Sequence, residues 1–147
     1  MFGTKLFCVT PKLATFSKCL TSRSLSISPV VYNSFKVQDM QDFDKRVKNA
    51  STPVIVDFFA TWCNPCKTLT PRLESVIDEM KGKVVLAKVD IDELTDLAMD
   101  YEVSAVPVLI AMKNGKELDR LVGLQDVDKL KTFIDHLLEK QSAVENP

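Results

Sequence analysis

From Tyr32 onward, short apolar runs alternate with longer stretches in which apolar residues recur every three or four positions. Ser34 to Val37 reads as a brief strand. Asp39 is placed as an N-cap, its carboxylate able to accept from the free amides of a first turn, for a helix in which Phe43 and Val47 share a face. Ser51-Thr52-Pro53 breaks that helix. Val54-Ile55-Val56-Asp57-Phe58-Phe59-Ala60 is a nearly continuous β-branched and aromatic run, which predicts a central strand buried on both faces.

Beyond Cys66, Leu69, Leu73, Val76, Ile77 and Met80 lie at helical spacing. Pro71 inside this stretch is expected to kink it, and Gly82 to end it. Lys83 to Asp90, around Val84-Val85-Leu86-Ala87, predicts another buried strand, and Asp92 to Tyr101 a short helix with Leu94, Leu97 and Ala98 inward. Val108 to Met112 and Leu118 to Val122 flank Asn114-Gly115, the dipeptide most favourable to a two-residue hairpin turn. From Asp126 a last helix places Val127, Leu130, Phe133, Ile134, Leu137 and Leu138 on one side; after Lys140 the polar tail is expected to fray. The order is βαβαβαββα. Its alternating first part implies right-handed crossovers and a parallel centre, with the hairpin as an antiparallel edge.

The first thirty residues follow another pattern. Phe2, Leu6, Val9, Leu13, Phe16 and Leu20 form one helical stripe, interrupted at Pro11, with Lys5, Lys12 and Lys18 off it. There is no acidic residue before Asp39, and the segment is rich in Ser and Thr. That composition is the signature of a mitochondrial transit peptide over residues 1–30, with the folded domain at 31–147. A secretory signal would need a continuous apolar core of roughly 7–15 residues, and Leu6-Phe7-Cys8-Val9 is too short. The plainer alternative is a disordered tail with no address.

Charge narrows the partners. Beyond Val30 the chain holds 15 Lys and Arg against 20 Asp and Glu, so its mildly acidic body offers no electrostatic reason to bind nucleic acid. No apolar run approaches the roughly 20 residues that cross a bilayer. A monomer without membrane partners is expected. Of four cysteines, Cys8 and Cys19 fall in the leader, which leaves Cys63 and Cys66 after cleavage.

The spacing Cys63-Asn64-Pro65-Cys66 admits several chemistries. Zinc needs two more ligands, and the one histidine, His136, stands far along the last helix, where it reads as solvent-facing. An iron–sulfur cluster fails on the same count, and a structural disulfide closing so small a loop would stabilise little. Placement decides between these and redox chemistry. The pair follows a buried strand and opens a helix, where free amides and the helix dipole favour a thiolate on the first cysteine. Cys63, half exposed at the helix entrance, is therefore the expected nucleophile. Cys66, one turn further in, would resolve the mixed disulfide. Pro65 in the first turn loses nothing by lacking an N–H.

Val56-Asp57-Phe58-Phe59-Ala60-Thr61-Trp62-Cys63-Asn64-Pro65-Cys66-Lys67 resembles the active-site stretch of thioredoxins, which typically reads Trp-Cys-Gly-Pro-Cys-Lys. The resemblance runs from about Phe35 to Leu138 and includes Pro71, Ala105-Val106-Pro107, Lys113-Asn114-Gly115 and Gly123; with the basic leader it points to the family's mitochondrial members. Asn64 departs from the usual Gly, which bears on redox potential and partner range. The resemblance implies a thioredoxin fold, α/β with a central mixed sheet flanked by helices on both faces. It implies a protein-disulfide reductase that cycles a Cys63–Cys66 disulfide without a cofactor. The partners it implies are an NADPH-dependent thioredoxin reductase, peroxiredoxins and other disulfide-bearing clients, in the mitochondrial matrix.

Supporting residues follow. Asp57 in an apolar strand should have a raised pKa. The resemblance implies that it takes the proton of Cys66, with Lys88 on the adjoining strand as a nearby charge. Trp62 reads either as core or as docking surface beside the nucleophile. Pro107 resembles the family's cis-proline, lying against the disulfide and leaving the Val106 backbone free to pair with a substrate strand. Gly123 either permits close approach beside that groove or simply ends a strand. Two rivals remain on the same fold: an oxidase or isomerase of the secretory kind, and a non-enzymatic adaptor. The leader and the absence of a His between the cysteines disfavour the first, and the intact pair with Asp57 and Pro107 the second.

Overall fold

The computed structural model describes residues 33–144, with side chains as far as Lys140. The leader predicted at 1–30, with Cys8 and Cys19, lies outside the described residues. The observed order is β1 (Ser34–Lys36), α1 (Met40–Phe43), β2 (Val54–Phe59), α2 (Asn64–Glu79), β3 (Val85–Asp90), α3 (Thr95–Asp100), β4 (Val108–Lys113), β5 (Lys116–Val122) and α4 (Val127–Val144). α1 continues as a π-helical stretch over Asp44–Lys48. The Asp39 side chain accepts from the amide of Asp42 at 2.8 Å, so the cap forms as its chemistry dictates.

The strands form one mixed sheet in the order β1-β3-β2-β4-β5. β2 is central, and its alternation sorts the two cores. Val54, Val56 and Phe58 pack with Phe43, Val47 and Leu97 on one face. Ile55 packs with Leu69, Leu73, Ile77 and Ile134, from α2 and α4, on the other. Because side chains alternate across a strand, Asp57 joins the Ile55 face, under α2.

Antiparallel pairing begins further in than the sequence suggests. β1 and β2 both run parallel to β3, but β4 is antiparallel to central β2 and not merely at an edge. The register explains this. β3 ends with Asp90 opposite Phe59, and β4 starts with Val108 opposite Phe58, so α3 and its flanking loops stay at one end of the sheet. A parallel return would have to run the sheet's full length.

Other boundaries shift for local reasons. α3 begins at Thr95, not Asp92, because the Asp90 carboxylate takes the Asp92 amide at 3.1 Å and holds a turn there. β5 starts two residues early, at Lys116 opposite Lys113; Asn114 and Gly115 both have positive φ (51° and 74°), as a tight primed turn requires. α2 runs through Pro71 as one helix, and the chain reverses after it at Lys81 and Gly82 (φ 50° and 83°). α4 continues to Val144, past the expected fraying at Lys140, and Val127 in its first turn is exposed where the pattern put it inward. No helix among the described residues is long and apolar enough to cross a membrane.

Candidate active site

α2 starts where β2 stops, and the two cysteines occupy the junction. Cys63 is the N-cap of α2, and its Sγ accepts from the Cys66 amide at 3.2 Å. The capping atom is thus the sulfur that a free helix terminus would favour as thiolate. The cysteines are joined as a disulfide, with Cα atoms 5.3 Å apart. Cys63 is not half exposed as the sequence suggests. It is 5% exposed and Cys66 2%, because the bonded pair packs with Ala60 against Phe59, Ile91 and Val106.

Asn64 and Pro65 are exposed at the start of α2. Among the described residues the Asn64 amide reaches neither sulfur; the donor to Cys63 is the Cys66 backbone. Trp62 is 65% exposed, which removes the core alternative. Its indole N–H donates to Asp92 at 3.0 Å, and Asp92 is held in turn through its amide by Asp90. This support was missed in the sequence, where Asp90 reads as the end of a strand and Asp92 as the start of a helix.

Asp57 is fully buried. Burial pushes its carboxyl up to about 6, while the Thr70 hydroxyl and the Lys88 charge pull the other way and Glu74 adds to the rise. Lys88 is its register neighbour on β3 and forms an ion pair with Glu74 at 2.8 Å. Oδ2 of Asp57 accepts from Thr70 at 2.9 Å, and Oδ1 has no hydrogen-bond partner among the described residues. A cavity of about 440 Å³ opens alongside, lined by Cys66, Thr70, Lys88, Lys36 and Lys67 among others. Thr70, Glu74 and Lys36 carried no motif signal; helical spacing from Cys66 is the cue that finds the first two.

On the other side of the disulfide, the Val106–Pro107 bond is cis. Of that pair, Val106 packs against the cysteine cluster, and neither of its backbone groups has a hydrogen-bond partner among the described residues. Pro107 is buried, and its carbonyl accepts from Gly123 at 2.8 Å. Gly123 has open space where a Cβ would sit, with nothing of the described residues within 4 Å. Its φ of +84° is what demands glycine. The exposed Val122 and Leu124 flank it.

A redox-active pair at the entrance of a helix that also holds a buried carboxyl through Thr70, beside a backbone open to strand pairing, defines a thiol–disulfide oxidoreductase. The thioredoxin family model matches residues 34–136. The chain is 54% identical to mitochondrial thioredoxin of Bos taurus over 117 residues, covering 80% of this chain and 70% of that protein. It is 42% identical to a probable thioredoxin-2 of Caenorhabditis elegans, over 93% and 92% of the two chains. Among solved structures, a mutant thioredoxin from Halobacterium salinarum superposes with a TM-score of 0.65 at 36% identity, over 71% of this chain and 89% of the other. The chain belongs to the thioredoxin family, and its activity is the reduction of protein disulfides.

Proposed function

We propose that Cys63 is the attacking thiolate, Cys66 the resolving thiol and Asp57 the acceptor of its proton. Reduced Cys63 attacks one sulfur of a client disulfide; a Cys63–client bond forms and the client's other sulfur leaves as thiolate. Cys66 then attacks Cys63. The Cys63–Cys66 bond forms, the second client sulfur departs, and the Cys66 proton passes to Asp57. Two electrons move from the pair to the client, and only side chains of this chain take part. The observation that carries this reading is the N-cap geometry: the Cys66 amide donates to the Cys63 sulfur at the start of α2, while Cys66 lies one turn from Thr70, which bonds the buried Asp57 carboxyl.

Asn64, Pro65 and Lys88 tune the couple, and Trp62, Val106, Pro107 and Gly123 line the client groove, where the free Val106 backbone pairs with an extended client segment. The electron donor is an NADPH-dependent thioredoxin reductase, and peroxiredoxins are among the clients. Residues 1–30 direct the chain to the mitochondrial matrix and are removed; the acid-free, basic leader and the mitochondrial relatives support this. Mass spectrometry of the form isolated from mitochondria should find a start between Arg23 and Phe35, and an intact Met1 there would refute removal.

The functional test is insulin reduction coupled to a thioredoxin reductase and NADPH. Turnover is expected from the parent and none from Cys63→Ser. Turnover in Cys63→Ser would overturn the assignment.

A further inference from the structure

Cys66, Thr70 and Glu74 are spaced four residues apart along α2, so they form one stripe on its surface. Beneath that stripe lie Asp57 and Lys88, which are register partners on β2 and β3. Glu74 is matched to Lys88 and Thr70 to Asp57. Cys66 heads the row. The rest of the buried surface of α2 is apolar, with Leu69, Leu73, Val76 and Ile77.

The bond made by Thr70 is not the one a helical threonine makes by default. Thr132 in α4 donates to the carbonyl four residues back, Asp128, at 2.9 Å, and Thr95 does the same to Ile91 at 3.1 Å. Thr70 instead turns its hydroxyl to the carboxyl of another element. That is the single hydrogen bond the Asp57 side chain makes among the described residues, since Oδ1 has none.

We infer that Thr70 is a positioning residue of the reductase reaction: its hydroxyl pins the Asp57 carboxyl by Oδ2 one helical turn below Cys66, and leaves Oδ1 as the atom that receives the Cys66 proton. The inference rests on the proton-acceptor role of Asp57 and deepens it. The step balances. As the Cys66 sulfur bonds to Cys63, its S–H bond breaks and the proton makes an O–H bond at Oδ1, while the electron pair of the Cys63–client bond leaves on the client sulfur. A hydroxyl donated to Oδ2 favours the carboxylate that must be present before this step, and so offsets part of the burial penalty. The other groups acting on Asp57 are Lys88 from β3 and Glu74 from α2, and the cavity that Thr70 and Lys88 line is also lined by Cys66 and Lys67 from α2 and Lys36 from β1. Lys88 is paired with Glu74, and Lys36 with Glu93 and Asp90. From β4 the register partner is apolar Leu109.

The test uses Thr70→Val, which keeps the shape and removes the hydroxyl, and Thr70→Ser, which keeps the hydroxyl. Two quantities are read against pH: the carboxyl ¹³C shift of Asp57, and the rate at which a preformed Cys63 mixed disulfide is resolved. Thr70→Val should move both titrations up by about one pH unit, and Thr70→Ser should restore them. In an Asp57→Asn background, Thr70→Val should not move the rate profile further. An Asp57 titration unmoved by Thr70→Val, alongside a slowed Asp57→Asn, overturns the positioning role alone. A resolution rate indifferent to Asp57→Asn overturns the proton-acceptor role, and the positioning role with it.

Discussion

Asp57 pairs a functional demand with a cost that can be measured. Its carboxyl titrates near 3.8 when unfolded and near 6 when buried, so the folded state holds the proton more tightly. Below pH 4 both states are protonated and the residue costs nothing on this account. As pH rises from 4 through 6 the unfolded state releases its proton first, and stability falls by on the order of 3 kcal/mol. Asp57→Asn should therefore stabilise the protein at pH 7 by an amount that vanishes below pH 4, while slowing turnover. Denaturant titrations at pH 4 and 7 check the first part, and a gain that is the same at both would contradict it. Asn64 lies at the other extreme. Exposed in the disulfide form, its amide is free to donate to the thiolate that forms on reduction. Asn64→Gly should make the protein a stronger reductant by no more than about 30 mV, the equivalent of one modest hydrogen bond. Equilibration against glutathione measures this, and a more oxidising mutant would refute the donor.

The elements that position the site owe their geometry to local chemistry that differs in how plainly it shows in sequence. β2 and α2 were legible because burial on both faces and helical periodicity write long patterns. α3 and β5 were misplaced at their starts. The turn held by Asp90 is a side-chain contact invisible to periodicity, and the first residues of β5, Lys116 and Glu117, are exposed and polar. The same limit hid Thr70, whose hydroxyl is defined as part of the site only by what faces it across α2 and β2. Gly123 is legible as a special glycine beside the groove, while its positive φ is not. With open space at its Cβ and φ of +84°, Gly123→Ala should cost about 1–2 kcal/mol through backbone strain, and Gly123→Asn less. Chemical denaturation of both variants decides; equal and larger losses would point to crowding instead.

At the scale of the molecule, element order and fold class followed from alternation of strand and helix patterns, whereas the direction of β4 did not. Nothing in Val108 to Met112 records whether the preceding chain crossed the sheet or stayed at one end; that depends on how far α3 and its loops travel. The consequence is functional. Because the β3–β4 connection stays at the end of the sheet where β2 meets α2, it delivers Asp92 to Trp62 and Val106 to the cysteines, so Cys63, Cys66, Trp62 and the open Val106 backbone share one end of the sheet. The division of labour between the two sulfurs is the claim on which the rest depends, and covalent trapping tests it directly. Cys66→Ser and Cys63→Ser are each incubated with a disulfide-bearing client and run on non-reducing gels. Cys66→Ser should accumulate a mixed disulfide that dithiothreitol releases, because Cys63 attacks and nothing resolves it, and Cys63→Ser should capture nothing. Equal adducts from both variants, or adducts from Cys63→Ser alone, would contradict the account.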